Sequence, residues 1–214
     1  MFYMGILLIL LSFLSGSIMY SYLLPKILYN VDIVKISDDH NPGSANVIKH
    51  FGIFTGAICI ILDLLKAFVP VYISITKFNV SGMLLVFISI APILGHAFSP
   101  FLHFKGGKAI ASTFGSFLAL YHISNIALTF AFILVFFKFI ITIKPNSSVI
   151  LVSVVFLTLI TFTYQNDIYI KLIALLTSLI LGYKHKINRN EGSITISLLN
   201  RYLKKTLYNF NENE

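Results

Sequence analysis

The chain has 214 residues, 57% hydrophobic and 11% charged, with a net charge of +8 and one cysteine. Soluble domains carry about 25% charged residues, so the composition excludes a water-soluble fold and predicts an all-α integral membrane protein. The lone Cys59 excludes an internal disulfide or a cysteine-based metal cluster, and basic residues spread over short loops speak for membrane orientation rather than nucleic-acid binding.

In chain order, apolar runs predict a first span at about 4–24, a polar loop at about 29–50, a second span at about 52–75 and a third at about 82–96. The first five residues lack a basic region and no small-residue cleavage site follows, so the first run is expected to be a retained span. A shorter apolar helix follows at about 109–120, then spans at about 123–143, 149–164 and 168–183. Lys144-Pro145-Asn146-Ser147-Ser148 reads as a connecting loop. About seven passes put the two ends on opposite sides. Lys26, Lys35, Lys49, Lys105, Lys108, Lys138, Lys144 and the basic tail then share one face, and Lys77 and Lys171 occupy the other. That asymmetry predicts the N-terminus outside and the C-terminus in the cytoplasm. Residues 1–190 form the expected membrane domain and 191–214 a basic cytoplasmic tail.

The stretch from Gly95 to Lys108 holds His96, His103, Lys105, Gly106, Gly107 and Lys108 between two apolar runs. Lysines around a glycine pair, just ahead of a helix, have the composition of an anion site, with backbone N–H groups and the positive helix end adding to the charge. His96 lies near these lysines and is a candidate for chemistry. The first polar loop, Asn41-Pro42-Gly43-Ser44-Ala45-Asn46, has small residues suited to a tight turn, with Lys49 beyond it. Asp38 and Asp39 precede it and argue against a simple phosphate cradle there; they could bind a divalent ion, an amine or nothing. Asp63 and Lys66 are spaced i, i+3 within a span and share a helix face. They read either as a structural ion pair or as part of an active-site wall. His185 and Asn188 stand one turn apart near the end of the last span. Neither a Gly-x-Ser-x-Gly elbow nor a Walker loop is present.

Taken together, Gly95-His96, Pro100 and Phe104-Lys105-Gly106-Gly107-Lys108 resemble the central motif of the PlsY-type acyl-phosphate:glycerol-3-phosphate acyltransferases. Gly16-Ser17, the Asn41–Val47 stretch, Asp63-Leu64-Leu65-Lys66 and His185-Lys186-Ile187-Asn188 are similar to its other motifs, in the same order. The chain departs from the pattern at Asp38-Asp39-His40, where that family has Gly-Ser-Gly, and at Lys49 and Ala67, where it has arginine and glycine. The resemblance implies seven transmembrane helices in a bacterial plasma membrane, with the site on the cytoplasmic face. It implies transfer of an acyl chain from acyl phosphate to the 1-hydroxyl of glycerol 3-phosphate, without metal, cofactor or covalent acyl-enzyme. The partners implied are these two substrates and the bilayer, with no nucleic acid. It implies catalytic roles for His96, Lys105, His185 and Asn188. Substrate contacts are implied for Ser17, Asn41, Gly43, Asn46, Lys49, Asp63, Lys66, Gly106, Gly107 and Lys108. A paralogue with another acceptor or no activity, and a small transporter or lipid-binding protein, remain alternatives.

Overall fold

A computed structural model describes residues 2–187 and 195–197. Its helices are α1 (Phe2–Ser17), α2 (Tyr20–Tyr29), α3 (Ile33–Ile36), α4 (Ser44–Phe78), α5 (Gly82–Ala97), α6 (Ile110–Ala119), α7 (Ile126–Val135), α8 (Asn146–Tyr164) and α9 (Ile168–Ile187). A two-residue strand, β1 (Ile143–Lys144), pairs antiparallel with β2 (Thr195–Ile196).

Among the described residues, four helices are long and apolar enough to cross a membrane, and there is a fifth if α1 and α2, bent by 44° at their break, count as one. The first run predicted from hydropathy is therefore broken at Ile18-Met19. The second is longer than expected because the polar segment 44–51 is itself helical, joined to the span through a kink at Gly52 (φ +85°). An L-residue with a side chain would be strained there. The two remaining apolar helices are short. Ten residues of α6 cover about 15 Å at 1.5 Å per residue, half of a ~30 Å hydrocarbon core. α7 runs on into a π-helical turn, Phe136–Ile140.

α5 forms the centre and packs against α1, α4, α6 and α9, while α8 packs on α9 and α7. Ile88 and Ile93 of α5, Phe117 of α6, Phe130 of α7, Leu157 of α8 and Ile170, Ile173 and Leu181 of α9 are fully buried. The outer surfaces stay apolar: Leu7, Leu10, Leu14, Phe87, Leu128, Phe132, Val155, Leu159 and Phe162 are all exposed. So continuous an apolar exterior would be insoluble in water and is expected against lipid. A separate small cluster of Ile33, Val47 and Cys59, flanked by Tyr22, Leu24 and Phe51, packs α2, α3 and α4 together. Asp32 starts α3 by accepting from the Val34 N–H at 3.1 Å. These contacts fix the loop that carries Asp39, Asn41 and Gly43.

Candidate active site

The antiparallel course of the helices brings the starts of α4, α6 and α8 and the ends of α5, α7 and α9 to one end of the bundle. A cleft of about 480 Å³ opens there. Its polar lining residues are Asp39, Asn41, Asn46, Lys108, Asn146, Ser147 and His185. Its apolar ones are Ile110, Leu134, Val135, Phe139, Val149 and Ile150. The π-helical turn contributes Phe139 and Lys138 to this wall, and such turns often occur at functional sites. A charged group and a hydrocarbon chain on one molecule fit this mixed lining.

Among the polar residues, Lys108 Nζ donates to Asp39 Oδ2 at 2.9 Å. Asn46 Nδ2 donates to Asp39 Oδ1 and to the Asn41 carbonyl, both at 2.8 Å. The Asn41 N–H reaches Asp39 Oδ1 at 3.3 Å. Partial burial works to raise the Asp39 pKa, but the bonds from Lys108 and Asn46 outweigh it and hold the carboxyl below its ordinary value. The lowered pKa means that the contact is intact above the unfolded-state value near 4 and is lost as pH falls through the folded-state value. Asn41 Oδ1 and both ring nitrogens of His185 are buried at this wall.

Behind the cleft lies a second, buried layer. Lys66 Nζ meets Asp63 Oδ1 at 2.8 Å with each side chain 1% exposed. Ser21 Oγ donates to Asp63 Oδ2 at 2.6 Å, and Lys66 also donates to the Ile18 carbonyl at the α1–α2 break. The Ser112 hydroxyl donates to the Asp63 carbonyl at 3.2 Å. The same hydroxyl lies 2.9 Å from His96 Nδ1, so it ties the histidine ring to α4. Nε2 faces Gly107, where an added Cβ would stand 2.4 Å away. Gly106 is as tightly placed, 2.0 Å from the His96 carbonyl by the same measure. On the far side, Lys184 of α9 donates to the carbonyls of Ala97 at 2.9 Å and Gly106 at 3.1 Å. The end of α9 thus clasps the Gly-Gly turn with Lys184 and presents His185 to the cleft.

The geometry places each residue that the resemblance implicates. Asn41, Asn46, Lys108 and His185 do line one cleft. His96 is 4% exposed and lies under the turn, beside Gly107 and outside the lining of this cleft. In the Gly106-Gly107 turn the Gly107 N–H donates to the His96 carbonyl at 3.0 Å. What the pair supplies is closeness, since no side chain fits between turn and histidine. Asp63 and Lys66 form the buried pair rather than the cleft wall. Ser17 is buried, with its hydroxyl bonded to the Phe13 carbonyl at 2.7 Å and its own carbonyl accepting from Ser99 at 2.7 Å. Gly43 caps α4 beside Asn41. Lys49 points outward to Asp38 at 2.6 Å, with both side chains more than half exposed, and Lys105 is exposed beyond the lining. Asn188 and most of the basic tail lie outside the described residues.

Sequence reasoning missed Asn146 and Ser147, read as connecting loop, and the position of Asp39. Pro145 at the N-cap was the available signal: it starts α8 at Asn146 and so carries Asn146 and Ser147 into the first turn.

The fit of turn to histidine can be tested. Gly107→Ala is expected to cost about 1–3 kcal/mol by overpacking, because the His96 ring is anchored through Ser112 and cannot swing aside. Combining it with His96→Ala should make the double variant more stable than the sum of the single losses. Thermal unfolding of the purified proteins measures this; strict additivity would show that turn and ring do not press on one another.

A helical membrane bundle with a cleft lined by both polar, charged groups and apolar side chains has the features of proteins that handle charged lipids or their precursors. The chain belongs to the glycerol-3-phosphate acyltransferase family, whose model matches residues 6–191. It is 34% identical over 185 residues to a glycerol-3-phosphate acyltransferase of Thermosipho melanesiensis, covering 85% of this chain and 86% of that one. It is 40% identical over 126 residues to the Thermotoga petrophila protein of the same name, an alignment that spans only 63% of that relative's length. Among solved structures it is similar to PlsY (YgiH), an integral membrane glycerol 3-phosphate acyltransferase. The glycerol 3-phosphate form of PlsY superposes with a TM-score of 0.74 at 26% identity, covering 87% of this chain and 90% of that one. The lysophosphatidic acid form gives 0.71 at 25% identity.

Proposed function

We propose that the protein transfers a fatty acyl group from acyl phosphate to the 1-hydroxyl of glycerol 3-phosphate, releasing lysophosphatidate and inorganic phosphate for phospholipid synthesis. The observation that carries the reading is the cleft itself, which Lys108, Asn46 and His185 line together with Leu134, Val135, Val149 and Ile150. The acceptor oxygen attacks the acyl carbonyl, the carbon–oxygen bond to phosphate breaks, and phosphate leaves with the bonding electrons. The hydroxyl proton passes to a phosphate oxygen, either of the leaving group or of the acceptor. Acyl phosphate is a mixed anhydride, so positioning and charge neutralisation can supply most of the rate without a protein nucleophile. In this reading Lys108 meets phosphate charge, Asn41, Asn46 and Ser147 orient the acceptor, and His185 closes the site with Asn188. The acyl chain lies along the apolar wall toward lipid.

The same reading takes α6 and α7 as short crossings, making seven in a bacterial plasma membrane. The N-terminus is outside and the cleft is on the cytoplasmic face, with Lys26, Lys35, Lys49, Lys105, Lys108, Lys138 and Lys144 on that side. Purified protein given acyl phosphate should release phosphate and form lysophosphatidate with glycerol 3-phosphate and not with other alcohols or amines. Turnover with another acceptor alone would replace this reading by that of a paralogue. No turnover with any acceptor would leave a lipid-binding or transport protein.

A further inference from the structure

Asp39 and Asp38 are neighbours in sequence, but the structure gives them different surroundings. Asp38 faces out with a side-chain exposure of 84% and pairs with Lys49. Asp39 turns into the cleft, 29% exposed, and pairs with Lys108, itself 19% exposed. Its two oxygens collect donors from three parts of the chain: the ammonium of Lys108 before α6, the amide of Asn46 in the first turn of α4, and the main-chain N–H of Asn41 in the loop. Such a set of donors converging on two acceptor oxygens is what a phosphate needs, and a carboxylate is the side chain that best imitates part of a phosphate. The pair is only partly buried and its acid sits in a turn, so a ligand entering the cleft can reach the same donors.

We propose that Asp39 is an internal anion that holds the phosphate end of the cleft until a phosphate-bearing molecule displaces it, and thereby sets how tightly the cleft binds phosphate. This rests on reading the cleft as a phosphate site. A like charge beside the incoming phosphate weakens binding, and Lys108 must be drawn from one anion to the other. Without a ligand, the same pairing gives the Lys108 ammonium a counter-charge at the cleft wall.

The test compares the full chain with Asp39→Asn in lipid nanodiscs, titrated with inorganic phosphate by calorimetry. Asparagine keeps the shape and an acceptor for Asn46 but removes the negative charge. The dissociation constant for phosphate is expected to fall about threefold to tenfold, the range for loss of one competing, partly screened ion pair. The same tightening is expected in Asp39→Ser, which cannot mimic the carboxylate. Equal or weaker binding in both folded variants would overturn the proposal, weaker binding by showing that Asp39 helps to build the site. Failure of both variants to fold would also overturn it, because a carboxylate that the fold cannot lose is not one that a ligand can displace. Turnover is scored separately. Tighter phosphate binding in the variants of a chain that transfers no acyl group would remove the proposed reaction and keep this inference. Transfer by the native chain with no tightening would do the reverse.

Discussion

Lys108→Met is expected to lower kcat/KM for acyl transfer to glycerol 3-phosphate by about 10²–10³-fold, the cost of removing one preorganised charge partner from a reacting oxyanion. Lys108 is the basic side chain paired within the polar wall, through Asp39 at 2.9 Å, and methionine matches its length without its charge. The substitution also strands the Asp39 carboxylate, so a loss of rate could be confused with a loss of fold. Asp39→Asn/Lys108→Met separates the two. With both charges gone, stability should return toward that of the native protein while the rate stays low, because the ammonium that meets phosphate charge in the proposed reaction is still missing. Lys108→Arg keeps the charge on a broader, planar head and should retain a larger share of the rate. Phosphate release under steady-state conditions, with thermal unfolding on the same samples, checks all three. A Lys108→Met protein that turned over at the native rate would show that phosphate is neutralised elsewhere.

The helical membrane character, the long apolar helices and the order of the motifs were legible because they depend on chain-local quantities. An apolar run long enough to cross a bilayer reveals its solvent whatever its neighbours are, and the i, i+3 spacing of Asp63 and Lys66 already placed both on one face. What stayed hidden depends on the direction of side chains where helices end. His96 sits in the last turn of α5, and one residue of rotation decides whether it faces the cleft or the space under Gly107. Composition around Gly106-Gly107 is the same for an open cradle and for a turn packed on a histidine. The difference lies in the Gly107 N–H, which donates to the His96 carbonyl. Asp39 looked like an obstacle to phosphate binding because its partner, Lys108, is 69 residues away. The break at Ile18-Met19 was invisible to hydropathy, since both halves are apolar.

That break leads to the second large effect. Asp63→Ala or Lys66→Met alone is expected to destabilise the protein by about 3–5 kcal/mol, because either change leaves an uncompensated charge among buried groups. Both side chains are 1% exposed, so water cannot take over the lost contact. Lys66 also donates to the Ile18 carbonyl, so it supplies a hydrogen-bond partner that the interrupted helix no longer provides. Removing both charges together, as Asp63→Leu/Lys66→Met, should recover most of the loss, since a buried pair is often replaceable by well-packed apolar groups. The link from Ser112 to His96 survives in this double variant because it runs through the main-chain carbonyl of residue 63 rather than the carboxylate. The Gly-Gly turn should therefore keep its support, and catalytic activity should return together with stability. Unfolding midpoints and turnover measured on the two single variants and the double variant decide the matter. A double variant as unstable as either single would mean that Ser21 and the Ile18 carbonyl, rather than the two charges, hold this layer together. Recovered stability without recovered turnover would mean that the pair acts on the cleft directly, through its field across the turn.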